Sequence, residues 1–249
     1  MTSPFSRTQL LLGYPALQTL AESRVAVFGV GGVGGYAVEV LARSGVGAID
    51  IIDDDRVCIT NINRQLIATT STVGKPKVDV AEARINDINP LCIVHKHQTF
   101  YLPEQADRFD FTIYDYVVDC IDTVKAKLDL IQRCHELDVP LISCMGAGHK
   151  LDATQFCVTN LFKTINDPLA KVLRKKLRKT GIKYIKVVYS PEEPLESIHQ
   201  PGVQTEDVPA SNAWVPATAG LIVGGEVVKD IIRRAGTMRI QPEDKHEQE

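Results

Sequence analysis

Gly29-Val30-Gly31-Gly32-Val33-Gly34 follows a short β-branched run and opens a helix-like stretch. Glycines at such a junction let backbone N–H groups and the positive end of a helix dipole approach an anion, so the segment reads as a phosphate cradle. Asp53 stands 19 residues after Gly34, at the end of the next apolar run, where a carboxylate takes ribose hydroxyls. On these features alone an NAD-linked oxidoreductase is the commonest reading. The blander alternative is that the glycines only let a helix pack closely on a sheet.

The residues after Asp53 narrow the chemistry. Ile52-Asp53-Asp54-Asp55-Arg56-Val57 leads to Asn61-Ile62-Asn63-Arg64-Gln65 and then to Val73-Gly74-Lys75-Pro76-Lys77. Together these resemble the signature of the adenylating superfamily that includes ThiF, MoeB and the ubiquitin-activating enzymes. The resemblance implies an ATP site in which Asp53 holds the ribose, Asn61 and Arg64 meet the phosphates and Lys77 reaches the phosphate chain. Gly29, Gly31, Gly32, Gly34, Asp55 and Gln65 complete it. An Arg and a Lys brought back to the nucleotide neutralise a triphosphate, a demand that a dinucleotide pyrophosphate does not make. In Val118-Asp119-Cys120-Ile121-Asp122 the last residue matches the aspartate that places Mg²⁺ near the α-phosphate. A metal there offsets charge as an acyl oxygen attacks the α-phosphorus. Arg64, Lys77 and Asp122 are thus the expected catalytic set, with ATP and Mg²⁺ and without NAD. Each charge taken singly is an ordinary surface ion pair; their order is what carries the reading.

Departures from the superfamily pattern choose the branch. Relatives near ThiF and MoeB usually carry two C-x-x-C pairs for structural zinc, and Cys58, Cys92, Cys120, Cys134, Cys144 and Cys157 never take that spacing, so no zinc is expected. The ubiquitin-activating branch needs a nucleophilic cysteine, and Cys144 in Ser143-Cys144-Met145-Gly146-Ala147-Gly148 stands closest to its place. A free cysteine is more often a small buried hydrophobe. Ser6-Arg7-Thr8-Gln9-Leu10-Leu11-Leu12-Gly13, the Ser143 segment, Lys186-Val187-Val188-Tyr189-Ser190 and Gly220-Leu221-Ile222-Val223-Gly224-Gly225-Glu226 resemble a narrower branch, which dehydrates threonylcarbamoyladenosine in tRNA. That resemblance runs over about residues 5–235. It implies adenylation of the threonyl carboxylate, ring closure with loss of AMP, tRNA carrying threonylcarbamoyladenosine as substrate, and a possible accessory sulfur-transfer protein. It also implies a homodimer in which Arg7 reaches the partner's nucleotide. The alternative within the superfamily activates the C-terminus of a ubiquitin-like sulfur carrier.

Charge patterning points to RNA independently. Residues 171–186 hold eight basic side chains and no acidic one, so the rest of the chain sums to −11 against −3 for the whole. Leu169, Val172, Leu173 and Leu177 give this stretch one apolar stripe, leaving Lys171, Arg174, Lys175, Arg178 and Lys179 to meet phosphates on tRNA. An ordinary solvated helix face would include glutamates.

These residues need a scaffold that gathers distant loops. Strand-like runs at 25–28, 48–52, 92–94, 116–118 and 141–143 alternate with helical patterns at 32–44, 75–89 and 124–137. The alternation predicts a Rossmann-like α/β fold, a mostly parallel sheet with helices on both faces, followed by a C-terminal helical and loop extension. In that extension 155–158 reads as a strand, and Asp167-Pro168 as an N-cap with proline at the first helical position of a helix closed by Gly181. Residues 190–209 carry four prolines and read as a mobile loop or lid, 217–234 as a helix, and 241–249 as a frayed tail. Gly220, Gly224 and Gly225 suit close approach to a neighbouring helix or a second subunit. The expected organisation is one domain over 1–249: a nucleotide-binding sheet (1–160), a basic helix, loop and terminal helix (161–235), and a disordered tail (236–249).

Composition bounds the rest. With 44% hydrophobic and 24% charged residues the chain is neither disordered, collagenous nor a coiled coil, and a net charge of −3 does not announce a nucleic-acid binder as a whole. The absent C-x-x-C and the lack of a secretory opening point to the reducing cytosol. The longest uncharged run, 208–225, is broken by Pro209 and Pro216, so no membrane span is expected. The six histidines lack metal spacing and read as structural.

Overall fold

Val25-Ala26-Val27-Phe28 has no polar side chain to satisfy, and it forms the buried part of β1 (Arg24–Phe28). In the computed structural model, which describes residues 3–198 and 209–239, β1 lies inside a seven-stranded sheet. β2 (Ala48–Ile52) and β3 (Ile93–His97) extend it on one side. On the other side come β4 (Tyr116–Asp119), β5 (Leu141–Cys144), β7 (Lys186–Tyr189) and β6 (Cys157–Asn160), giving the order β3-β2-β1-β4-β5-β7-β6. Every pair is parallel except β6–β7. Phe28 stands in register with both Ile52 and Asp119, so the chain leaves β1, β2 and β4 at one edge. It moves outward from β1 to β3 and then returns to β4, and at such a reversal a crevice opens beyond the carboxyl ends of the strands.

Alternate strand residues serve opposite faces. Val25 and Val27 join the core of α3 (Gly34–Arg43), α4 (Lys77–Ile88) and α7 (Trp214–Arg234), whereas Ala26 and Phe28 pack with Tyr101, Phe109, Phe111 and α5 (Val124–Glu136). α6 (Pro168–Leu177) adds a third cluster against α5 and β7. Two of the three α7 glycines bring it onto a neighbouring helix: a Cβ at Gly220 would lie 2.2 Å from the Val33 oxygen and one at Gly224 2.6 Å from Val40 Cβ, whereas one at Gly225 would meet nothing within 4 Å. No described helix is long and apolar enough to cross a membrane.

The expected sheet and its two covered faces are present, with local differences. α6 ends at Leu177, not at Gly181, which occupies a later turn with φ +81. Its stripe is Ala170, Leu173 and Leu177; Val172, expected inside, is 40% exposed because it falls off that face. β6 starts two residues later than the reading at 155, since Asp152 caps a 3-10 turn at Ala153–Gln155 through the Thr154 N–H. α1 (Ser6–Leu12), α2 (Tyr14–Glu22) and β7 were not foreseen. Residues 190–198 form neither helix nor strand, while the remainder of the loop up to 208 and the tail at 241–249 lie outside the described residues.

Candidate active site

The glycine turn is built so tightly that side chains are excluded. Gly29 has φ +88, where a Cβ would sit 2.8 Å from the Cys120 oxygen, and a Cβ on Gly34 would meet the Gly29 oxygen at 1.8 Å. Gly34 is therefore buried beneath the turn, while Gly29, Gly31 and Gly32 line a cavity of about 480 Å³ in the β1/β4 crevice. Asp53, Asp55, Asn61, Arg64, Gln65, Lys77 and Asp122 line the same cavity. The structure thus brings together the residues expected at the nucleotide, apart from Gly34 and Arg7. Arg7 is exposed on α1, outside the cavity.

Asp53 is pinned between two backbone donors: Val30 N–H donates to Oδ2 at 2.7 Å and Asp55 N–H to Oδ1 at 2.9 Å. Burial pushes its carboxyl above the usual carboxylate range, only partly offset by the Lys77 charge and those N–H groups. Lys77, the first residue of α4, points its amine to Asp55 Oδ2 at 2.7 Å and to Asp53 Oδ1 at 3.7 Å. Arg64 donates from Nη1 to the Thr60 oxygen and to Asn63 Oδ1, both at 2.9 Å, and among the described residues no carboxylate pairs with it. Its remaining N–H groups stay available for an anion. Asn61 Oδ1 accepts the Cys58 N–H at 3.0 Å and so fixes this loop. The amide oxygen of Gln65 is buried without a partner among the described residues, and its Nε2 lies 3.8 Å from where a Cβ on Gly31 would stand. A buried acceptor left unpaired in a polar cavity wall is a place for a ligand or water donor.

Asp122 is exposed at the cavity, where its Oδ1 accepts from the Thr123 hydroxyl at 3.3 Å. Its loop rests on a network that sequence reasoning missed. Lys127 is fully buried and donates to Asp119 Oδ2 (2.9 Å), Ser143 Oγ (3.1 Å) and the Cys144 carbonyl (2.8 Å). Asp119 in turn accepts from Ser143 Oγ at 2.6 Å and from Ile121 N–H at 3.2 Å. The signal was present, because Ala126, Lys127, Leu130, Ile131 and Cys134 form one buried stripe with a lysine inside it. Thr99, Phe100, Tyr101, Ala147, Gly148, Pro209, Ser211 and Pro216 also line the cavity without having been expected there. Cys144 is buried, and burial pushes its thiol up to about 12, the setting of a packing cysteine and not of a nucleophile. Among the described residues, Asp53, Asp54 and Asp55 form the one group of three His, Cys, Asp or Glu side chains whose ligand atoms lie within 4.8 Å of one another, as a metal ion requires.

Lys171, Lys175, Lys176, Arg178 and Lys179 are exposed on α6 and its C-terminal turn, and no described carboxylate pairs with them. Two members of the basic block differ. Arg174 is half-buried and donates to Thr164 Oγ1. Lys186 sits on β7 with Glu226 at 2.6 Å and Asp230 at 2.7 Å, so it is neutralised and belongs to the sheet. A second cavity, about 470 Å³, opens at the opposite ends of the strands beside Tyr116, Leu141 and Lys186, remote from the glycine turn.

Comparison with known proteins bears on what the first cavity holds. The ThiF family model matches residues 5–242. The tRNA threonylcarbamoyladenosine dehydratase of Bacillus subtilis is 47% identical over 252 residues, spanning 97% of this chain and 99% of its own length. The Escherichia coli dehydratase is 45% identical over 174 residues, 70% of this chain and 65% of its own. The solved structure of E. coli TcdA, the same dehydratase, in complex with AMP has a TM-score of 0.86 and 37% identity, covering 94% of this chain and 95% of that one. The complex with ATP has a TM-score of 0.85 and 38% identity at the same coverage.

Proposed function

The chain belongs to the ThiF family, and from that premise we propose that it is an ATP-dependent enzyme that dehydrates threonylcarbamoyladenosine in tRNA. The observation that carries the reading is the convergence of the glycine turn, Asp53, Arg64, Lys77 and Asp122 on one crevice, in a chain similar end to end to such a dehydratase. The NAD-linked reading of the glycine turn gives way, because solved structures similar to this one over nearly its whole length hold AMP and ATP.

A carboxylate is a poor electrophile, since its leaving group would be oxide. Adenylation turns it into a mixed anhydride with a good leaving group: the threonyl carboxylate oxygen attacks the α-phosphorus and pyrophosphate departs. Intramolecular attack on the activated carbonyl then closes an oxazolone ring and releases AMP, so one water is removed overall. In this scheme the glycine turn and the α3 N-terminus face the phosphates, Asp53 accepts ribose hydroxyls, and Arg64 and Lys77 neutralise the phosphate charge as it shifts. Asp122 would hold Mg²⁺: like Asp54 it is exposed at the cavity and forms no ion pair among the described residues, whereas Asp53 and Asp55 are engaged by Lys77. A hard cation bound there would offset phosphate charge.

Two further elements complete the reading. The exposed cations of α6 face the tRNA backbone, and a homodimer places Arg7 at the partner's nucleotide. The latter is supported by Leu10 and Leu11, which stand 82% and 68% exposed on the helix that carries Arg7. The deciding experiment is pyrophosphate release from ATP with tRNA bearing threonylcarbamoyladenosine and with unmodified tRNA. Release that requires the modification is expected. Release only with a ubiquitin-like carrier protein, or saturable binding of NAD and not ATP, would overturn the assignment.

A further inference from the structure

Asp167 is 2% exposed and its two carboxylate oxygens serve different parts of the molecule. Oδ1 accepts the Ala170 N–H at 2.7 Å and caps α6, satisfying a donor that the first helical turn leaves free. Oδ2 accepts the Gly146 N–H at 3.1 Å, and a Cβ on Gly146 would lie 3.4 Å from that same oxygen. Gly146 opens the turn after β5 whose next two residues, Ala147 and Gly148, line the nucleotide cavity. On the other side of this turn Lys127 holds the Cys144 carbonyl. One buried carboxylate therefore ties the helix bearing the exposed cations to the wall of the cavity.

We propose that Asp167 is a positioning residue for the dehydration, fixing α6 and the 146–148 turn as one piece. An RNA backbone held by the α6 cations then presents its modified base at a set distance from the reacting phosphate. The inference rests on the reading of α6 as the RNA-facing surface. Misplacement by about 1 Å can cost up to 10²-fold in rate, whereas phosphate contacts along a helix need only the helix.

The two bonds can be separated chemically. The two donors are met by different carboxylate oxygens, so in Asp167→Asn and Asp167→Ser a single accepting oxygen kept at the cap position meets the Ala170 N–H and leaves the Gly146 N–H without its partner. Both remain good N-caps, which keeps α6 formed. With either variant, ATP affinity by calorimetry and tRNA affinity by filter binding should stay within about twofold. The kcat for pyrophosphate release with modified tRNA should fall roughly tenfold, with KM for tRNA unchanged. A wild-type kcat in both variants, or a kcat that falls only in step with tRNA affinity, overturns the proposal and leaves Asp167 as a helix cap. Lys175→Glu with Lys179→Glu, assayed in parallel, tests the underlying reading: undiminished tRNA affinity there overturns α6 as the RNA surface, whatever Asp167 does.

Discussion

The Lys77 amine is 2.7 Å from the Asp55 carboxylate, yet the two side chains differ sharply in freedom: Lys77 is 5% exposed and Asp55 64%. The cation is fixed and the anion can swing out. In the proposed scheme an arriving phosphate chain would displace Asp55 and inherit a preorganised ammonium. Lys77→Ala should lower turnover by roughly 10²–10³, the scale of losing one preorganised charge contact at a reacting centre. The resemblance counts Asp55 in the ATP site, but its pairing with Lys77 makes it a competitor for the ammonium, so Asp55→Asn should tighten ATP binding a few-fold. Calorimetry and pyrophosphate release measure the pair; weaker ATP binding in Asp55→Asn would refute the displacement.

A cross-interface role for Arg7 has a complementation test. Arg7→Ala and Lys77→Ala homodimers should each be nearly inactive. In a mixed dimer one site carries both defects and the other none, so mixing should restore activity. Sedimentation velocity gives the oligomeric state, and a fully active monomer would end the idea.

Acid stability should turn on Asp50. Burial alone would raise its carboxyl, but hydrogen bonds from His97 (3.0 Å) and the bidentate Arg24 (2.7 and 3.0 Å) outweigh it, and the net shift is downward. A carboxyl depressed in the folded state stabilises the fold above its unfolded value, near 3.9, and that contribution disappears as pH falls through the lower folded value. Asp50→Asn should cost about 2 kcal/mol at pH 7 and flatten the loss of urea stability below about pH 4. Equal slopes for both proteins between pH 5 and 3 would show that the pairing does not matter.

Lys127→Met leaves Asp119 charged, buried and without its cation, which costs about 3–5 kcal/mol. Lys127→Met with Asp119→Asn removes both charges and should recover part of that loss. Urea midpoints for the single and double variants check the order; a double variant weaker than the sum of its singles would contradict a paired charge.

The contrast between Lys127 and Lys186 shows what the sequence could and could not reveal. The crevice residues were legible because strand-turn-helix punctuation and the order of charges after Asp53 are local. Lys127 was legible in principle, as a polar residue at an apolar helical spacing. Lys186 was not: counting charge along 171–186 cannot see Glu226 and Asp230, which reach it from α7 across the fold. Asp167 was half legible, since Asp-Pro announces a cap but Gly146 lies 21 residues away. α1 escaped because it buries no residue, so no apolar face marks it.

The α6 surface is tested best with the cations that have no protein partner among the described residues. Lys175, Arg178 and Lys179 fit that description, whereas Arg174 is tied to Thr164 and its loss would also disturb the helix. On the proposed reading, charge reversal at the three exposed positions would remove phosphate contacts that position RNA without reading sequence, so modified and unmodified tRNA should weaken alike. Losing about three such contacts should flatten the slope of log affinity against log salt by roughly two to three units. ATP affinity should survive, because none of these three side chains lines the nucleotide cavity. A triple variant that keeps wild-type tRNA affinity and salt slope would make α6 a solvated face and send the RNA to another surface.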